Sequence, residues 1–156
     1  MARRHQRHHR ALAPQRAGAT SGLKTTSYAE NVVALKEAHD RGATEAVFGN
    51  LAGDVCEGTG SNIFYVLDGE LRTASLAAGC LAGVTRALIL EWYGGREVDV
   101  PIEQVAAECT EAFLASTTRD VQAIHRWDGR ELPAPGPVTA EVAATWRSRE
   151  SESPDP

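Results

Sequence analysis

The sequence predicts an α+β fold made mainly of antiparallel strands with flanking helices. Three observations carry this. The stretch 27–41 has helical period, with Tyr28, Val32, Leu35 and Ala38 spaced to form one apolar face. Asp68-Gly69 and Asp128-Gly129 each sit between short apolar runs, a hairpin signature. Helical and hairpin signals are intermixed along the chain and do not alternate one for one, as a parallel α/β sheet would require.

Taken in order, Ser27 is a suitable N-cap for the first helix and Gly42 a suitable residue just past its end. Glu45 to Gly49 reads as a short strand, and Asn50 to Asp54 as turn chemistry. Ile63 to Leu67 is a strand that the Asp68-Gly69 turn folds back onto Glu70 to Thr73. A second helix opens at Leu81 and runs to Tyr93, where Gly94-Gly95 stops it. Pro101 is expected at the first position of a short helix. Phe113-Leu114 lies in a strand, 121–127 forms another, and 138–147 forms a closing helix.

The 156 residues suit one domain with a real core, and 42% hydrophobic content is that of an ordinary globular protein. A net charge of −5 argues against a nucleic-acid binder. The opening MARRHQRHHR is strongly basic and the final residues are acidic, so 1–20 is expected to be a disordered arm and 149–156 a disordered tail. Cys56, Cys80 and Cys109 are far apart and form no CxxC pair, which fits reduced thiols in a cytoplasm and gives no structural zinc site. No apolar run is long enough to cross a bilayer, and the basic start is not followed by the apolar segment of a secretory signal.

The stretch CEGTGSNIFYV places Glu57 at the mouth of a glycine-rich turn that leads into a strand. It fails the dinucleotide fingerprint, because no third glycine and no helix follow. Ser21 and Lys24 match a short S-x-x-K pattern, but its S-D-N and K-T-G companions are missing. His5, His8 and His9 are read as solvated, and His39 and His125 as isolated. Gly83-Val84-Thr85-Arg86 opens a helix whose free N–H groups suit an anion, and Ser116-Thr117-Thr118 offers further hydroxyls at a strand end. Taken singly, each is as well explained by an ordinary turn or cap.

In succession the pieces are more specific. KTTSYAEN at 24–31, GATEA at 42–46, EGTGSNIF at 57–64, GCLAGVTR at 79–86, EAFL with STT at 111–118, and GPVT at 136–139 resemble the class-IV aminotransferase family. These are fold-type IV pyridoxal-phosphate enzymes, among them branched-chain and D-amino-acid aminotransferases and 4-amino-4-deoxychorismate lyase. The resemblance spans 23–139. It implies the C-terminal pseudo-barrel domain of the D-amino-acid aminotransferase-like fold, here over 21–148, and pyridoxal 5'-phosphate as cofactor.

By the resemblance, Lys24 is the lysine of the internal Schiff base, and its freed amine moves the substrate α-proton. Tyr28 reaches the phenolic oxygen of the cofactor. Glu57 keeps the pyridine nitrogen protonated, which deepens the electron sink. Val84, Thr85 and Thr117 hold the phosphate, and Thr118 meets the substrate carboxylate. The implied partners are an amino acid and a 2-oxo acid, with a homodimer as the assembly, and the metal content is none. Family members carry a small N-terminal domain ahead of the lysine, and MARRHQRHHRALAPQRAGAT does not resemble it, so a truncated chain is the expectation. Transaminase, the related lyase, and a non-catalytic remnant all stay open at this point.

Overall fold

The computed structural model describes residues 9–12 and 29–152. The first strand, β1 (His9–Leu12), runs parallel to β2 (Glu45–Gly49), and β2 pairs antiparallel with β3 (Val55–Gly58). Between β1 and β2 lies helix α1 (Ala29–Asp40). Residues 9–12 of the basic N-terminal segment form this strand, and the rest of 1–20 lies outside the described residues. Strand addition is driven by backbone hydrogen bonds and is indifferent to the basic composition of that segment.

A five-stranded sheet follows, in the order β6-β5-β4-β7-β8. Its members are β4 (Asn62–Leu67), β5 (Glu70–Thr73), β6 (Arg96–Glu97), β7 (Glu111–Ser116) and β8 (Asp120–Ala123). Helix α2 (Val84–Trp92) connects β5 to β6, and α3 (Ile102–Glu108) connects β6 to β7. A small ribbon of β9 (Arg126–Trp127) and β10 (Arg130–Glu131) precedes α4 (Pro137–Glu152).

Side chains alternate across β4 and β7, and this sets the layers. Ile63, Tyr65, Leu67, Ala112 and Leu114 face one core with Val47 and Val55 of the small sheet and Ile102, Val105 and Trp127. Phe64, Val66, Phe113 and Ala115 face a second core with Ile89 of α2 and Val142 and Trp146 of α4. Phe64 and Phe113 are register partners and stack with ring centroids 5.0 Å apart. The far side of the small sheet, through Ala46, Phe48 and Cys56, packs on Ala34 and Ala38 of α1. Because β4 is covered on both faces, all six of its residues are buried.

Several sequence expectations are corrected in detail. The buried face of α1 is Ala34 and Ala38, whereas Val32 is 62% exposed. Alanines let the helix approach the sheet more closely than Val32 and Leu35 would. Helix α2 begins at Val84, not Leu81, because both backbone groups of Leu81 are engaged elsewhere: its N–H by Glu57 and its carbonyl by Asn62. Pro101 is the N-cap of α3 and lies just outside it. The strand expected over 121–127 is split, since Ile124 N–H turns to Ala112 O and the His125 carbonyl to Leu132 N–H. Helix α4 continues past 148 to Glu152, with Arg149 and Ser148 both bonded to Glu152, so the expected tail is partly helical. Residues 153–156 lie outside the described residues.

Candidate functional site

Lys24 and Tyr28 lie outside the described residues. The other site residues predicted from sequence lie on three elements that converge. Glu57 is the third residue of β3, opposite Phe48 on β2, and is 7% exposed. Its Oε2 accepts the Leu81 N–H at 2.7 Å, which ties β3 to the segment leading into α2. Asn62, the first residue of β4, donates from Nδ2 to the Leu81 carbonyl at 2.8 Å. Gly83 then passes so close to Asn62 Oδ1 that a β-carbon there would collide with it. Glycine at 83 thus leaves the Asn62 amide in place, and a side chain there would have to displace it.

Gly83 is the N-cap of α2 with extended backbone, φ −71° and ψ 142°, and it caps with no side chain. Its carbonyl accepts the Ala87 N–H at 3.0 Å, so the helix ladder starts there. The ladder leaves the amides of Val84, Thr85 and Arg86 without intrahelical acceptors, and they carry the positive end of the helix dipole. Val84 is 66% exposed, while Thr85 and Arg86 are buried. Arg86 anchors the first turn inward, donating from Nη2 to Ala74 O at 2.8 Å and pairing with Glu97.

The third element is the β7–β8 hairpin. Arg119 N–H closes a turn onto Ser116 O at 3.2 Å, and Asp120 follows at φ 51°. Thr117 and Thr118 are its central residues and are exposed. The turn bond uses neither of their amides. Ser116 and Thr118 hydroxyls are 3.3 Å apart.

These contacts close a ring. Glu57 meets Leu81, Leu81 meets Asn62, and Asn62 is the register partner of Ala115, which leads into the hairpin turn. From the turn, Arg119 Nη1 reaches Glu45 Oε2 at 2.5 Å, and Glu45 Oε1 accepts Thr59 N–H at 3.0 Å, two residues beyond Glu57. Glu57, the start of α2 and the Thr117 turn are therefore linked in one ring of contacts, which brings a carboxylate together with a helix N-terminus.

Sequence reasoning missed Glu45 and Arg119. Glu45 is fully buried, and Oε1 also accepts from Thr59 Oγ1 and from Ala46 N–H. Its only signal was an acid in an otherwise apolar strand. Asn31, on the buried side of α1, was missed as well. Its Nδ2 donates to Thr59 O at 2.5 Å and docks α1 on the same turn. Among the described residues, no group of three His, Cys, Asp or Glu side chains is placed to hold a metal. No described helix is long and apolar enough to cross a membrane.

The family model for amino-transferase class IV matches residues 2–127. A branched-chain-amino-acid aminotransferase of Pseudomonas aeruginosa is 33% identical over 87% of this chain and 44% of its own length. The crystal structure of a branched-chain aminotransferase from Thermoproteus uzoniensis with norvaline superposes with a TM-score of 0.83 at 31% identity, covering 97% of this chain and 55% of that one. A branched-chain amino acid aminotransferase from Thermobaculum terrenum in its PLP form gives 0.83 at 29%, covering 91% and 50%. The chain spans about half the length of the proteins it matches. With its fold, its converging motifs and these matches together, the chain belongs to the class-IV aminotransferase family.

Proposed function

We propose that this chain binds pyridoxal 5'-phosphate and serves amino-group transfer between an amino acid and a 2-oxo acid. The observation that carries the reading is the pairing of the Glu57 carboxylate with the open N-terminus of α2 inside one ring of contacts. That donor set fits the cofactor at both ends. A carboxylate suits a protonated pyridine nitrogen, and free helix amides suit a phosphate. When bound, the cofactor supplies an electron sink for the substrate α-carbon.

The chain's own residues divide the remaining work. Glu57 holds a proton on the ring nitrogen, and the Leu81 N–H holds Glu57 in place. Val84 and Thr85 bind phosphate at the helix start, with Thr117 as a second contact. The Thr117–Thr118 turn receives the substrate carboxylate on its unused amides. Lys24 would hold the cofactor through its amine and, once freed by the substrate amine, would take and return the α-proton. Tyr28 is assigned to the phenolic oxygen. Aminotransferase is preferred to lyase because the relatives at 30% identity or more reported above are aminotransferases.

The test is to reduce a mixture of chain and pyridoxal phosphate with borohydride and to map the modified lysine. Lys24 and Lys36 are the two lysines of the sequence. Lys36 is a built-in control: Asp40 Oδ2 lies 2.6 Å from its amine, and that hydrogen bond raises its pKa and keeps it protonated. Label confined to Lys24 supports the reading. Label spread equally over both lysines, or no cofactor band at all, sinks it.

A further inference from the structure

Glu45 has no role in the chemistry above, yet it is the most heavily engaged carboxylate described. It is completely buried, receives Thr59 through both N–H and hydroxyl, receives Ala46 N–H, and pairs with Arg119 at 2.5 Å. A buried carboxylate is expensive to desolvate, and an apolar residue of similar size often stabilises a fold as well or better. Mere stability is therefore a poor reason for this pair. Its position supplies a better one. Thr59 belongs to the turn that leaves Glu57, and Arg119 closes the turn that carries Thr117 and Thr118. These two turns sit at the ends of different sheets, and no strand pairing joins β3 to β8.

We propose that Glu45 and Arg119 are positioning residues that lock the Thr117–Thr118 turn to the Glu57 turn, holding the turn amides at a fixed distance from the reacting centre. The proposal rests on the functional reading given above. Arg119 Nη1 donates to one oxygen while Thr59 holds the other, so a shift of either turn must break a charge-assisted bond. Asn31 clamps the Thr59 carbonyl from α1 at the same point, which leaves Arg119 as the adjustable end of the link.

The test compares wild type with Arg119→Met, Arg119→Lys and Glu45→Gln, and with Glu45→Gln/Arg119→Met, which leaves no unpaired charge buried. Amide hydrogen exchange is read in the chain without cofactor at the hydrogen-bonded amides of the two turns, Gly58 and Thr59 in one segment and Arg119 in the other. Arg119→Met and the double variant are expected to speed both segments together, by about tenfold or more, while β4 and β7 stay protected. Arg119→Lys is expected to restore part of the protection. In the cofactor-loaded chain, 4-methylvalerate serves as a carboxylate probe that lacks an amine. It is expected to bind the Met variant about ten- to a hundredfold more weakly, with the bound-cofactor spectrum unchanged. Faster exchange at only one of the two segments, or an unchanged probe affinity, overturns the proposal. If wild type takes up no pyridoxal phosphate, the functional reading fails separately, and the paired exchange response alone decides the coupling.

Discussion

At the scale of single residues, Glu57 carries two separable duties. Its carboxylate holds the Leu81 N–H, and the proposed function assigns its charge to the ring nitrogen. Glu57→Gln keeps an acceptor for Leu81 but removes the charge. It should leave the thermal midpoint nearly unmoved while cutting the amino-transfer rate by about a hundredfold or more, as read in a coupled 2-oxo acid assay. Equal activity of the two proteins would remove Glu57 from the mechanism. Tyr65 tests the core. It is fully buried, and its hydroxyl has no hydrogen-bond partner among the described residues. Burial is the main cause that pushes its pKa from 10.0 up to about 12. A folded pKa above the unfolded one means a contribution that is complete below pH 10 and is lost as pH climbs from 10.0 to about 12. The difference corresponds to about 3 kcal/mol. Tyr65→Phe should be no less stable at pH 7 and should unfold less steeply on alkaline titration, followed by far-UV circular dichroism. At this scale the sequence was informative where one residue decides a conformation. Asp68 and Gly69 take φ of 55° and 76° as the hairpin demanded, and Gly94 ends α2 at φ 102°. It was silent where the meaning lay in a distant partner, as with Glu45 and Arg119.

At the scale of elements, α4 shows why boundaries resist sequence reading. Its N-terminus is capped from outside: Glu111, on β7, accepts Val138 N–H at 3.1 Å and Thr139 N–H at 2.8 Å. Nothing near Pro137 announces that cap. Gly136 is needed because a β-carbon there would run into the Glu111 carboxyl. Gly136→Ala should therefore destabilise by about 2 kcal/mol and Glu111→Gln by about 1 kcal/mol, measured by urea unfolding. A Gly136→Ala midpoint equal to wild type would show that the cap is not built this way. The strands were legible where alternation or a glycine turn marked them, as in β4 and β5. They were hidden where the pairing partner is far away, as in β1, or where buried backbone groups break the run, as between β8 and β9.

At the scale of the whole molecule, the fold class was legible because helical period and glycine turns mark the elements locally, and the family because several short motifs occur in succession. The layering was not, since two sheets of similar composition give no sign of which faces they share. Ligand binding to the folded state adds stability by mass action, and pyridoxal phosphate at a hundredfold excess over its dissociation constant should contribute about 2.7 kcal/mol. A rise in thermal midpoint of about 5–10 °C is then expected for wild type and a much smaller one for Lys24→Ala. Identical shifts in both would place binding elsewhere.

The pairing of Asn62 with Ala115, and of Phe64 with Phe113, also dictates an order of events during synthesis. A chain that has emerged as far as Cys109 already contains Glu57, Asn62 and α2, yet β4 then has a neighbour on one side only. Its six residues, all destined for burial, present an open edge until β7 arrives. Refolding a chain ended at Cys109 should give aggregates, where the same experiment with residues up to Glu152 gives soluble protein. Soluble folded protein from the shorter chain would show that β4 tolerates its exposed edge.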